Sequence, residues 1–283
     1  MPTAVKPTVL FIHGLWMHPS AWEPWTQVFT ERGYGTMAPG WPGDGATVGE
    51  SREHPEEIAG HGIDEITAHY AKVIADLDTP PIVVGHSFGG LIAQKLLGQN
   101  LASAAIAIDP AQPKGVLKLP LVQLRTVFPV LSNPANYRKT YSHTRESFHK
   151  SFASAITKSE SDALYERYVI PAPGQPLFEA ALANFNPHSP AHVDFNAERG
   201  PLLIIGGGKD RTVPKASTDS SFKMYHKAPT VNEYKVFDDR GHSLTIDHGW
   251  REIADYSLAW LSRNTASTQN GGASTQNGGV SSP

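Results

Sequence analysis

A chain of 283 residues, 40% hydrophobic and 18% charged, holds enough apolar side chains to bury one sizeable core with room for an inserted subdomain. A formal charge of −3 without a basic run argues against nucleic acid or an anionic membrane as the main partner. The absence of cysteine excludes a disulfide framework, a thiol nucleophile and any Cys-ligated metal.

The opening residues lack the apolar core of a signal peptide, and no run approaches membrane-spanning length, so a cytoplasmic protein is expected. Val9–Ile12 reads as a buried strand leading into His13-Gly14-Leu15-Trp16. Pro19-Ser20 then opens a helix through Trp22, Trp25, Val28 and Phe29, with Ser20 and Glu23 at capping-box spacing. Residues 33–39 read as a second strand, 40–45 as a Gly- and Pro-rich loop, and 46–61 as a polar, exposed stretch. Ile63, Ile66, Tyr70, Val73, Ile74 and Leu77 mark an amphipathic helix that Thr79-Pro80-Pro81 ends.

Pro81–Val84 is the next strand. It runs into the Gly-x-Ser-x-Gly pentapeptide Gly85-His86-Ser87-Phe88-Gly89, followed by a helix carrying Leu91, Ile92, Leu96 and Leu97. Ala104–Ile108 is a strand closed by Asp109-Pro110. Residues 111–198 break the rhythm, with helical patterns at 159–168 and 176–184, and read as a helical lid in which aromatic residues such as Phe128, Tyr141 and Phe152 set specificity. Strands return at 201–205 and 231–237, and a last helix carries Trp250, Ile253, Leu258 and Leu261. Residues 1–110 and 199–264 thus form an α/β core around a doubly wound, mainly parallel sheet of about six strands, with 111–198 as the lid. The repetitive polar stretch 265–283 is expected to be a disordered tail.

A serine between a buried strand and a helix, with glycines two residues to either side, has the setting of a nucleophile elbow. Such a serine needs a base, and the base an acid, both delivered to the same sheet edge. Asp210, after the strand at 201–205, and His242, after the strand at 231–237, meet that need. Asp109 is the competing acid, although Asp109-Pro110 also reads as a turn. Asp247 and His248 read as the start of the last helix, and His86 as structural. Oxyanion N–H groups are expected from Leu15, after the turn at Gly14, and from Phe88 at the helix start. The glycines at 206–208 lack the spacing of a dinucleotide fingerprint and the histidines lack metal-ligand spacing, so neither metal nor other cofactor is expected.

Together, His13-Gly14, Gly85-His86-Ser87-Phe88-Gly89-Gly90, Asp210 with Val213-Pro214, and Gly241-His242 resemble the α/β-hydrolase fold superfamily over roughly residues 8–262. The start directly at the strand before His13, without a leading antiparallel hairpin, resembles the plant methylesterase and hydroxynitrile lyase branch. The resemblance implies a serine hydrolase acting on a small or medium carboxylic ester through an acyl-enzyme. Two alternatives stay open: a lyase that uses His242 with a cationic lid residue such as Arg125, Arg138 or Lys139, and a non-catalytic ligand receptor on the same fold.

Overall fold

The computed structural model describes residues 6–118 and 120–265. Its strands are β1 (Thr8–Ile12), β2 (Gly35–Met37), β3 (Ile82–His86), β4 (Ala104–Ile108), β5 (Thr140–Tyr141), β6 (Ala172–Pro173), β7 (Leu202–Gly207) and β8 (Asn232–Phe237). Six of them form one parallel sheet in the order β2-β1-β3-β4-β7-β8, while β5 and β6 pair as a separate antiparallel ribbon. Helices α1 (Glu23–Glu31), α2 (Val48–Glu53), α3 (Pro55–Ile58), α4 (Ile63–Ala75) and α5 (Phe88–Gly98) precede β4. Helices α6 (Leu121–Leu131), α7 (Arg145–Ser151), α8 (Lys158–Tyr168) and α9 (Gln175–Ala181) lie between β4 and β7. Helix α10 (Lys215–Lys223) follows β7, and α11 (Trp250–Asn264) closes the chain.

The period of two along each strand sorts side chains into two cores. Val9, Phe11, Val84, Ile106 and Leu203 face a layer with Trp25 and Phe29 of α1 and Ile253 and Leu258 of α11. Leu10, Ile12, Val83, Ala105 and Leu202 face the other, with Ile66 and Tyr70 of α4 and Leu91 and Leu96 of α5. This is the doubly wound α/β fold that the alternation predicts. Register pairs Ile12 with Gly85, His86 with Ile108 and Ile108 with Ile205, so the loops after these strands open at one sheet edge.

Several local expectations are corrected. Ser20 does not cap α1: Pro19–Trp22 is a 3-10 turn whose cap is His18, the ring Nδ1 accepting the Ser20 N–H. The stretch 46–61 is mostly exposed, as its polarity suggests, but folds as α2 and α3 and buries Ser51 and Ile58. Its Arg52 donates to the carbonyls of Val169 and Tyr165, tying α2 to the C-terminal end of α8. Helix α8 begins one residue before the expected 159 and is capped by Thr157, whose hydroxyl accepts the Glu160 N–H. Residues 266–283, expected to be disordered, lie outside the described residues. No helix among the described residues is long and apolar enough to cross a membrane.

Candidate active site

Strand β3 ends where α5 begins, and the turn between them places Ser87 at φ 56°, ψ −120°, a conformation that costs an L-residue energy and suits glycine. Neighbouring backbone enforces it. The Ser87 N–H donates to the Ile108 carbonyl at 2.9 Å, and the Ser87 carbonyl accepts from Ala111 and Gly90 at 2.9 Å each. The flanking glycines are required by contact: a Cβ on Gly85 would lie 2.0 Å from the Gly89 carbonyl oxygen, and one on Gly89 2.2 Å from that of Ile12. The Phe88 amide is the first of α5, where no intrahelical acceptor exists, and the Leu15 amide sits in the turn after β1. Among the described residues neither amide donates to a protein acceptor.

The loops after β7 and β8 bring Asp210 and His242 together. The His242 Nδ1–H donates to Asp210 Oδ2 at 2.6 Å, with both side chains fully buried. Asp210 Oδ1 accepts the N–H groups of Thr212 and Val213 at 2.6 and 2.8 Å. Burial pushes Asp210 up to about 7 against the pull of these donors, and pushes His242 down to about 4, so the imidazole is neutral at neutral pH. With Nδ1 engaged, the lone pair is on Nε2, which is buried and has no hydrogen-bond partner among the described residues. The hydrogen bond from Ser87 to His242 is not made in this arrangement. Catalytic hydrogen bonds of this kind often tighten only when substrate is bound.

A model of the alpha/beta hydrolase family matches residues 9–256. The chain belongs to this family. Similar solved structures include a monoacylglycerol lipase from Paleococcus ferrophilus, 20% identical, covering 92% of this chain and 96% of that one at a TM-score of 0.65. A methylesterase from Arabidopsis is 18% identical, with coverages of 91% and 99% and a TM-score of 0.63. A pyrethroid hydrolase is 15% identical, with coverages of 93% and 99% and a TM-score of 0.64. No curated protein sequence matches the chain significantly.

Within this alpha/beta hydrolase, Asp109 is more than the turn residue its sequence context suggests. It is fully buried at φ 40°, its Oδ1 accepts the Gly207 N–H at 2.6 Å, and its Oδ2 lies 4.0 Å from His242 Nδ1. Burial and then the nearby Asp210 charge push its carboxyl well above the usual range, so Asp109 is the neutral carboxyl of the pair. His86 donates from Nε2 to the His242 carbonyl at 2.9 Å, and burial holds it neutral, in keeping with a structural part. Asp247 accepts from Ser243 and from the Gly249 N–H just ahead of α11, while His248 bonds Glu160 of α8. Donor atoms of His86, Asp109 and His242 lie within 4.8 Å of one another. His86 Nε2 and His242 Nδ1 are already engaged, however, with the His242 carbonyl and with Asp210, and so do not face a common ligand position.

Ser87 and Phe88 open into a cavity of about 320 Å³ whose aliphatic lining includes Val116, Leu117, Leu124, Val127, Leu131 and Leu177. Phe185 of the expected aromatic residues also lines it, but the expectation is corrected for Phe128, Tyr141 and Phe152. Phe128 projects to solvent with 67% of its surface exposed, and Tyr141 serves the site through its carbonyl, which accepts the Trp16 Nε1–H at 3.0 Å. Phe152 is buried edge-on against the His242 ring, 4.7 Å between centroids. Phe152→Ala is therefore expected to destabilise the fold by about 3–5 kcal/mol, read by denaturant unfolding, and to lower kcat by loosening His242. The lining residues of α6 escaped the sequence reading because Pro129 interrupts their helical pattern, although an apolar spacing runs through Leu121, Leu124 and Val127–Phe128.

Proposed function

We propose that this alpha/beta hydrolase cleaves a small or medium, uncharged carboxylic ester through an acyl-enzyme. The observation that carries the reading is the buried 2.6 Å Asp210–His242 bond at the same sheet edge as the strained Ser87 turn and its apolar cavity. Ser87 Oγ attacks the carbonyl carbon while His242 Nε2 takes its proton. Asp210 keeps the imidazole in the required tautomer and stabilises the imidazolium that forms. The amides of Leu15 and Phe88 donate to the oxyanion, His242 returns the proton to the departing alkoxide, and water then releases the acid by the same route.

Ligand pockets commonly span roughly 300–1,000 Å³, so this cavity is at the small end, and none of its lining residues is charged. Of the cations a lyase would call on, Arg125, Arg138 and Lys139, none lines it. That favours hydrolysis of a neutral ester. The test is turnover of p-nitrophenyl esters from acetate to octanoate beside labelling by a fluorophosphonate. Hydrolysis with one label, on Ser87, is expected; a label on Ser87 without ester turnover would point to the lyase, and neither turnover nor label to a receptor.

Chain-length preference should follow the aliphatic lining. Leu124→Trp narrows the cavity and is expected to lower the hexanoate-to-acetate ratio of kcat/KM by about tenfold or more. Phe128→Ala, outside the cavity, should leave that ratio within about twofold.

A further inference from the structure

A second acid–base pair is buried at this edge of the sheet and has no part in the proton transfers above. His13 and Asp44 side chains are 4% and 3% exposed, with His13 Nε2 2.9 Å from Asp44 Oδ2. On the other side of the ring, His13 Nδ1 lies 2.9 Å from the Gly14 carbonyl oxygen. A carbonyl can only accept, so the Gly14 contact places a proton on Nδ1. The Trp41 N–H is 3.3 Å from Nε2 but 2.7 Å from Asp44 Oδ2 and belongs to the carboxylate. The Trp41 ring stacks on the imidazole, 5.1 Å between centroids at 26°, and holds its plane.

The Gly14 carbonyl and the Leu15 N–H are opposite ends of one planar peptide unit, so whatever holds the carbonyl aims the N–H. This unit lies against the serine: a Cβ on Gly14 would be 2.7 Å from Ser87 Cβ and 3.3 Å from Oγ. The other donor to the Gly14 carbonyl is the Met17 N–H at a long 3.4 Å, and glycine itself offers no side chain to resist rotation of the peptide. We propose that His13, held by Asp44, is a positioning residue that locks the Gly14–Leu15 peptide with its N–H toward the oxyanion. The proposal rests on the serine hydrolase reading above. It assigns to His13 the strength of the oxyanion hole and to Asp44 the placement of the His13 ring.

Asparagine places its amide nitrogen where Nδ1 stands, and glutamine places its own where Nε2 stands. His13→Gln therefore keeps the Asp44 contact and loses the carbonyl contact, and it is expected to lower kcat about 10–100-fold with KM within about threefold. Its affinity for a trifluoromethyl ketone, which forms an oxyanion adduct on serine, should fall by the same factor. His13→Asn should recover most of both. A residue that merely fills space predicts the opposite order, because glutamine keeps more of the volume. At the partner position, Asp44→Asn keeps an oxygen toward the Trp41 N–H and so keeps the ring in place, and its fall should be smaller than that of Asp44→Ala at matched melting temperature; this pair decides the matter if His13→Gln does not fold. His13→Asn no better than His13→Gln, or losses carried by KM, would overturn the proposal. A wild-type protein that neither hydrolyses esters nor takes the fluorophosphonate would instead sink the hydrolase reading and this inference with it.

Discussion

Ser87→Gly is expected to abolish turnover, by about six orders of magnitude in kcat, while making the protein more stable. The first half follows from removing the nucleophile; the second follows from backbone strain. At φ 56°, ψ −120° a residue with a Cβ costs about 1–3 kcal/mol, and glycine relieves that strain while adding roughly 0.5–1 kcal/mol of chain entropy to the unfolded state. No hydrogen bond made by the Ser87 hydroxyl opposes the change among the described residues, since the Ser87 bonds run through its backbone. The net gain is about 1 kcal/mol, or about 2–4 °C in Tm. Ser87→Ala separates the two effects: it removes the same hydroxyl and keeps the strain, so activity should vanish with little gain in Tm. If Ser87→Gly melts no higher than Ser87→Ala, the turn is not strained as its dihedral angles imply. If either variant keeps activity near that of the wild type, Ser87 is not the nucleophile.

The same turn shows which parts of the fold are legible in the sequence. Gly85, Ser87 and Gly89 announce the elbow because their constraint is local: each glycine is required by backbone atoms within a few residues or on the adjoining strand. The strands are legible because alternate residues such as Val83 and Val84 enter different cores, which requires apolar side chains on both faces. Asp210 and His242 could be read because strand ends in a parallel sheet share an edge, whatever their separation in sequence. Features that depend on remote partners were hidden. The polar look of residues 46–61 conceals Arg52 reaching the carbonyls at the end of α8, and Ser20 loses its expected capping part because its N–H and hydroxyl both meet the His18 ring. The aromatic residues of the insert suggested a substrate contact, yet Phe152 is spent on packing His242. The pairing of His13 with Asp44 lay beyond reach because the approach of the loop after β2 to the turn after β1 is a tertiary event.

Asp210→Asn is expected to lower kcat by about four orders of magnitude, and Asp109→Asn by far less. The reason lies in which end of each side chain must remain oxygen. Asp210 Oδ1 accepts two backbone N–H groups, so an asparagine there keeps its oxygen toward Thr212 and Val213 and turns its amide N–H toward His242 Nδ1. That donor forces the imidazole proton onto Nε2 and removes the lone pair that must take the serine proton. At Asp109 the oxygen must face the Gly207 N–H, leaving the amide nitrogen where the neutral carboxyl already holds a proton, so Asp109→Asn imitates the wild-type state. Stability against pH gives a second check. The Asp109 carboxyl is pushed well above the ordinary carboxylate value of about 3.9, so the folded protein keeps a proton that the unfolded chain releases as pH rises through 4. Folded stability is thereby lost with rising pH above about 4, and Asp109→Asn removes that loss. The Tm advantage of Asp109→Asn over the wild type should therefore widen from pH 4 to pH 7. A large loss of kcat in Asp109→Asn with a near-normal Asp210→Asn would transfer the acid's role to Asp109, and a Tm difference that is flat in pH would show that Asp109 carries no raised proton affinity.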